Sequence, residues 1–182
     1  PRESINYVIC THLHVDHVGW NTMLVDGKWV PTFPNARYLF GKKEWEAWEK
    51  EPDTEHFGPV LEDSVQPIID AGLADLVPCD HRVNDEVWFE PTHGHTAGHI
   101  SVRISSRGED AVITGDMTHH PCQLACPEWS CFADYDPPKA IDTRWDFYGK
   151  YVDKPVLVIG THFSPPTAGY IVADGERYKL RC

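Results

Sequence analysis

The sequence predicts an α/β layered domain, and three observations carry this prediction. Short runs rich in β-branched and aromatic residues recur along the chain, as is typical of strands. Amphipathic helical patterns lie between several of these runs, which favours sheets covered by helices. The chain has 182 residues, 41% of them hydrophobic and 12% aromatic, which is enough to bury one core. We therefore expect a single domain over residues 1–182.

The predicted strands differ in strength. Four strong ones are expected over residues 5–10, 86–91, 111–115 and 155–160, each of which is rich in β-branched or aromatic side chains. Two weaker ones are expected over 36–41 and 101–105. A closing hairpin is predicted over 170–180, with Asp174–Gly175 as its turn because Asp-Gly pairs favour tight hairpin turns.

Three helices are predicted between these strands. The polar segment 42–50 carries Trp45 and Trp48 three positions apart, which places both on one face towards a core. Residues 64–77 have a helical pattern interrupted at Gly72. The segment 137–153 begins with proline, which is favoured in the first turn of a helix, and continues amphipathically.

Charge and composition exclude several classes of partner. The formal net charge is −12, so nucleic acid and a polybasic attachment to membranes are disfavoured. No apolar run approaches the ~18–20 residues of a membrane span, and no leader is visible, so a cytoplasmic location is expected. The six cysteines are then expected to be reduced. Cys122, Cys126 and Cys131 lack C-x-x-C spacing, which favours loop thiols over a structural zinc site.

Each of the four strong strands is followed by metal-ligand residue types. The segment THLHVDH, residues 11–17, follows the first strand, and HGHTAGH, residues 93–99, follows the second. Asp116 follows the third strand, and His162 follows the fourth. Because strand ends can meet at one edge of a sheet, we expect these side chains to converge on a site.

The first of these loops offers more ligands than one ion takes from a local segment. A catalytic zinc typically uses three protein ligands and keeps one position open. We therefore expect two ions, bound by five histidines and two aspartates: His12, His14, Asp16, His17, His99, Asp116 and His162. The remaining histidines are expected to shape loops or support ligands (His93 and His95) or to be solvated or at a pocket rim (His56, His81, His119 and His120).

The ordered motifs H-x-H-x-D-H, HTAGH, TGD and GTHF resemble those of the metallo-β-lactamase superfamily of binuclear metal hydrolases, over residues 4–178. The resemblance implies an αββα four-layer sandwich and two divalent ions, with zinc the first candidate. It also implies a distribution of the ligands. His12, His14 and His99 would bind the first ion, His99 being preferred to His95. Asp16, His17 and His162 would bind the second, and Asp116 would bridge both.

Among the branches of this family, the sequence is most similar to lactonases, arylesterases and methyl-parathion hydrolases. The TGD motif argues against β-lactamase activity. The implied reaction is cleavage of a lactone, ester or phosphotriester by a metal-bridging hydroxide, with Asp116 fixing the ions and Asp16 orienting the nucleophile. Trp129, Phe132 and Tyr135 would line a pocket for a small-molecule substrate together with Trp20, or would be ordinary packing aromatics.

Two alternatives remain open at this point. The same ligand types can hold a single iron, as in dioxygenases of the superfamily. The chain also begins shortly before His12, whereas family members carry further strands there, so an N-terminally truncated fold is expected. The protein could then be a non-catalytic metal-binding remnant. A bare sheet edge would favour a homo-oligomer in which another copy covers it.

Overall fold

The computed structural model describes residues 1–50 and 59–182, and these form two compact units, Pro1–Pro78 and Cys79–Cys182. The predicted mixed α/β class is confirmed, since both units contain sheet and helix. The predicted single domain over residues 1–182 stays a prediction. Within the described ranges, no helix has the length and apolar character needed to cross a membrane.

The first unit is built on a three-stranded parallel sheet in the order β1-β4-β5. These strands are Tyr7–Ile9, Arg37–Gly41 and Ala74–Val77. β4 is the central strand, and its Tyr38 and Phe40 are fully buried. Central parallel strands need apolar side chains because neighbours cover them on both sides.

The helices of the first unit are short. They are α1 (Val15–Val18), α2 (Lys42–Lys50) and α3 (Gln66–Asp70), with a π-helical turn over Leu61–Val65 and 3₁₀ turns over Arg2–Ser4 and Gly19–Asn21. The prediction for α2 is confirmed, and Trp45 and Trp48 both pack against the core of this unit. His56 lies outside the described residues.

The predicted helix over 64–77 is wrong beyond Asp70. Gly72 adopts a positive φ of 69°, and its N–H donates to the carbonyl of Ile69, an arrangement that ends helices. The following residues, Ala74–Val77, form β5 and pair in parallel with β4. The sequence did not distinguish this strand from a helix, because a short apolar run is compatible with either.

The sequence prediction also missed a hairpin. β2 (Thr22–Val25) and β3 (Lys28–Pro31) pair in antiparallel register, with Asp26 and Gly27 as the turn residues. Both turn residues have positive φ, 49° and 77°. An Asp-Gly pair between two β-type runs is the signal that predicts such a turn.

The second unit contains a six-stranded sheet in the order β11-β10-β9-β8-β7-β6. The strands are β6 (Val87–Pro91), β7 (Ile100–Ser106), β8 (Glu109–Ile113), β9 (Val156–Ile159), β10 (Ala168–Asp174) and β11 (Arg177–Arg181). Only the β8–β9 pair is parallel. All six correspond to predicted strands. The closing hairpin is confirmed, but its turn is Gly175–Glu176, because Asp174 still pairs with Arg177.

Two helices and a 3₁₀ turn accompany this sheet. They are α4 (Cys122–Ala125), α5 (Pro137–Tyr151) and the turn Gly115–Met117. α5 begins where predicted, and the Asp136 side chain caps it by accepting from the Lys139 N–H. Phe147, Tyr148 and Tyr151 on α5 are buried in the core of this unit.

Gly94 is expected to be a position where no side chain fits. Its φ is 131°, and an added Cβ would lie 2.4 Å from the Ala140 backbone nitrogen on α5. Gly94→Ala should therefore destabilise the protein more than Gly108→Ala, whose φ is also positive but whose Cβ would enter open space. Backbone strain at either site costs on the order of 1–3 kcal/mol, and only Gly94→Ala adds a backbone clash. Urea unfolding of both variants measures the difference, and equal losses would contradict the close packing.

Candidate metal centre

The loop after β1 and the short helix α1 that follows it bring four ligand-type side chains together in the first unit. The Nε2 atom of His12 lies 3.1 Å from Nδ1 of His14, and Nε2 of His17 lies 3.3 Å from Oδ2 of Asp16. The rings of His12 and His17 are 4.0 Å apart between centroids. We call His12, His14, Asp16 and His17 the first ligand cluster. The crowding of THLHVDH predicted from the sequence is thus present in three dimensions.

A buried carboxylate holds the backbone of this loop. Glu44 of α2 is only 1% exposed, and its Oε1 accepts from the Leu13 N–H at 3.2 Å and from the Trp48 indole N–H at 3.0 Å. Trp48 also contacts the ring of His14 edge-on, with centroids 5.8 Å apart. The bond to Glu44 therefore fixes the backbone at Leu13. The neighbouring residues His12 and His14 then keep constant side-chain directions.

The cysteine that precedes the loop is not suited to bind metal. Cys10 is buried, and burial raises the pKa of its thiol to about 12. Its Sγ donates to the side-chain oxygen of Asn21. It packs in the apolar core of the first unit, so we interpret it as a packing group. In the part of the chain that the structure describes, no potential metal-binding group includes a cysteine.

Three histidines surround the carboxylate of Asp116 in the second unit. The Oδ2 atom of Asp116 lies 3.1 Å from Nε2 of His162, 3.3 Å from Nε2 of His119 and 3.6 Å from Nε2 of His95. We call these four residues the second ligand cluster. Asp116 follows β8 and His162 follows β9, and the two strands are parallel neighbours. Their carboxyl ends are therefore adjacent, which is why the sequence pattern predicted this pairing.

The structure directs a ring nitrogen of His95, rather than one of His99, towards the Asp116 carboxylate, whereas the sequence-based preference was for His99. His99 is fully buried, and both of its ring nitrogens serve the fold. Nε2 accepts from the Asp116 backbone N–H at 2.9 Å, and Nδ1 is hydrogen-bonded to the Thr92 hydroxyl at 2.9 Å. His95 instead presents its Nε2 to the Asp116 carboxylate. The two histidines lie four residues apart in HTAGH, so motif spacing alone did not separate them.

His119 belongs to the second ligand cluster, although the sequence suggested a solvated or rim position. Its ring stacks on that of His162 at an interplanar angle of 15°, and its Nε2 faces Asp116. The 3₁₀ turn after Gly115 brings residue 119 back towards residue 116. Such a turn is visible only in the folded chain. The neighbouring His120 is exposed and accepts from the Cys122 N–H, as expected for a surface residue.

Replacing His119 should weaken retention of metal by the protein, whereas replacing His120 should not. Loss of an outer partner of a ligand typically costs 10–100-fold in metal affinity, and His119→Ala removes an imidazole whose Nε2 lies 3.3 Å from the Asp116 carboxylate. His120→Ala is the matched control because the two residues are adjacent. Competition with a chelator measures both affinities. Equal affinities in the two variants would contradict a role for His119.

The donor set of the two clusters fits a divalent metal. Imidazole and carboxylate together suit zinc, iron, manganese or cobalt. Asp116 is 3% exposed, and a buried carboxylate is costly unless it is paired or coordinates a metal. Among the described residues, the ligand atoms of His95 and Asp116, and those of Asp116 and His162, lie within 4.8 Å of each other, which is within the reach of one ion.

Comparisons with known proteins identify the family of this chain and its fold. A family model described as the metallo-beta-lactamase superfamily matches residues 1–158. The structure is similar to that of AbOPH, a hydrolase in the beta-lactamase superfamily, with 26% identity and a TM-score of 0.86, over 98% of this chain and 64% of that one. It is also similar to AidC, a dizinc quorum-quenching lactonase, with 20% identity and a TM-score of 0.84, over 99% and 65%.

A third similar structure is a probable metal-dependent hydrolase from Staphylococcus aureus, with 21% identity and a TM-score of 0.77, over 99% of this chain and 64% of that one. The chain therefore spans about two thirds of the length of these proteins, or slightly less. No curated protein sequence matches it. The structural likeness confirms the predicted fold class.

Proposed function

Because the chain belongs to the metallo-β-lactamase superfamily, we propose that it is a metal-dependent hydrolase that uses two divalent ions to cleave a lactone, ester or phosphotriester. The observation that carries the proposal is the Asp116 carboxylate with imidazole nitrogens of His95, His119 and His162 gathered around one of its oxygens. A buried aspartate that meets several imidazoles at adjacent strand ends is the arrangement expected of a shared metal ligand.

The proposed ligand set combines the two clusters. His12 and His14 of the first cluster would hold one ion together with His95. Asp16 and His17 would hold the other together with His162, and Asp116 would serve both ions. This distribution follows the family pattern with one change, the replacement of His99 by His95. It is supported by the close approach of the ligand atoms within each cluster.

When bound, two divalent ions supply a nucleophile from water near neutral pH and withdraw negative charge from the oxygen atoms of the reacting bond. The residues of the chain prepare that chemistry. Asp116 is held through its backbone N–H by His99, so its carboxylate keeps a constant position. Asp16 is half exposed, with 51% of its side chain accessible, and its Oδ1 and Oδ2 can accept a proton from incoming water.

The choice of a lactone, ester or phosphotriester rests on two features. The similar structures include a quorum-quenching lactonase, AidC, which was solved with the product N-hexnoyl-L-homoserine. The second unit also exposes three aromatic side chains between α4 and α5: Trp129, Phe132 and Tyr135 are 56%, 96% and 67% accessible. Large exposed aromatics close together in the chain favour contact with an apolar part of a ligand.

A substrate panel tests the proposal. The protein, loaded separately with Zn²⁺, Mn²⁺ or Co²⁺, would be assayed against an acyl lactone, an aryl ester, a phosphotriester and a β-lactam. We expect hydrolysis of at least one of the first three, loss of that activity with a chelator, and recovery on adding the metal back. The β-lactam should remain uncleaved.

Two results would contradict the proposed function. Oxygen uptake by an iron-loaded protein that hydrolyses nothing would favour the mononuclear dioxygenase. Tight metal binding without hydrolysis of the lactone, ester or phosphotriester would favour a non-catalytic metal-binding protein.

A further inference from the structure

The two ring nitrogens of His95 have different surroundings. Nε2 faces Oδ2 of Asp116 at 3.6 Å, while Nδ1 lies 3.0 Å from Oδ1 of Asp134. An ionised carboxylate can only accept a hydrogen bond, so this contact places the ring proton on Nδ1. The lone pair of Nε2 is then directed towards Asp116. The ring itself is 1% exposed and so has little freedom to turn.

Asp134 is an unusual residue for a loop because its carboxylate is completely buried. The side chain is 0% exposed, and both oxygens have partners. Oδ1 meets His95, while Oδ2 accepts from the Cys131 backbone N–H at 3.0 Å and lies 3.6 Å from Nη1 of Arg144. Burial of a carboxylate costs several kcal/mol unless charge and hydrogen bonds compensate for it. Packing alone therefore does not explain why this loop buries a carboxylate.

Arg144 supplies the compensating charge. It lies on α5, is fully buried, and donates from Nε to the Pro127 carbonyl at 2.7 Å. Its Nη1 also reaches the carbonyl of Met117 at 3.5 Å, the residue after Asp116. One guanidinium group thus contacts the loop that contains Asp134 and the turn that contains Asp116. A planar, permanently charged side chain suits such a position better than lysine does.

The backbone around His95 is attached to the same loop. The Tyr135 N–H donates to the His95 carbonyl at 3.0 Å, and the Asp136 N–H donates to that of Gly94 at 2.9 Å. The Thr143 hydroxyl donates to the His93 carbonyl at 2.6 Å. Residues 93–95 are therefore fastened to α5 and to the residues just before it by hydrogen bonds to their carbonyls, and Asp134 adds a bond to the His95 ring itself.

We infer that Asp134 is a positioning residue, which holds the proton of His95 on Nδ1 so that Nε2 can bind metal, and that Arg144 keeps Asp134 in place. The inference rests on the proposed function in taking His95 as a ligand. Carboxylates that accept from the outer nitrogen of a metal-binding histidine fix its tautomer and raise its basicity. Asp134 does not touch the reacting atoms and acts only through His95.

The test compares Asp134→Asn with a carboxylate that has no link to a ligand. Glu90→Gln is the control, since Glu90 is paired with Tyr151 and Lys150 in the same unit. Zinc affinity would be measured by chelator competition, and the absorption spectrum of the Co²⁺-loaded protein would report the ligand field. We expect Asp134→Asn to bind zinc about 10–100-fold more weakly and to shift the Co²⁺ bands. Glu90→Gln should lower the melting temperature and leave both metal readouts unchanged.

A second measurement uses only the wild-type protein, so it can be made even if Asp134→Asn does not fold. Nitrogen-15 NMR of the zinc-loaded wild-type protein should show the imidazole of His95 with its proton on Nδ1 and the metal on Nε2. A metal on Nδ1 would overturn the inference, as would zinc affinity in folded Asp134→Asn equal to that of the wild type. Failure of the wild-type protein to bind zinc, manganese or cobalt would instead refute the proposed function, so the two failures are distinguishable.

Discussion

Replacing Asp116 with asparagine is expected to remove bound metal and hydrolytic activity together. Its carboxylate is the group around which His95, His119 and His162 gather, and the amide of asparagine binds a divalent cation far more weakly. Loss of outer partners typically costs 10–100-fold in metal affinity, and loss of a shared ligand should exceed that range. Metal content after dialysis and the turnover rate would both be measured.

The control for this substitution is Asp146→Asn, which removes the same charge from an exposed site on α5. It should keep the metal content and rate of the wild-type protein. Full activity in Asp116→Asn would contradict the shared-ligand role. Loss of activity with two ions retained would also contradict it, because the two losses are expected to come from one cause.

Replacing His95 with glutamine should release metal, whereas replacing His99 with glutamine should not. Glutamine removes the imidazole in both variants. At position 99 its side-chain oxygen can still accept from the Asp116 N–H, which is the bond that Nε2 of His99 makes. His99→Gln should therefore cost stability, on the order of 1–3 kcal/mol for a disturbed buried polar group, with metal retained by the folded protein.

The pair is informative because the two residues belong to one motif and are both buried. Metal content per folded chain and thermal unfolding of the metal-free proteins would be measured side by side. Metal retained by His95→Gln and lost by His99→Gln would reverse the assignment and restore the preference drawn from the sequence.

The parts of the fold that could be predicted from sequence are those set by local pattern. Strands β6, β8 and β9 are rich in β-branched and apolar side chains, and α2 has its tryptophans on one face. The placement of Asp116 beside His162 was also predictable, since it needs only that β8 and β9 end together. These features follow from the periodicity of apolar residues and from residue preferences for strand or helix, both of which can be read from a single sequence.

The parts that could not be predicted depend on distant contacts. The segment Ala74–Val77 is a strand because β4 pairs with it, and nothing local separates it from a helix. His95 and His99 differ through Asp134 and Thr92, which are reached only after folding. Arg144 lies 49 residues beyond His95 in the chain, so no spacing rule connects them. Contacts formed only in the folded chain therefore distinguish His95 from His99, which the spacing of the motif could not do.

The central claim, that this chain binds two ions and hydrolyses with them, is tested most directly by metal content. Protein purified without a chelating column would be analysed for zinc, iron, manganese and cobalt per chain. We expect close to two ions per chain, with fewer retained by Asp116→Asn. A content near zero, unchanged on adding metal, would contradict the claim, and a single bound iron would contradict its binuclear form.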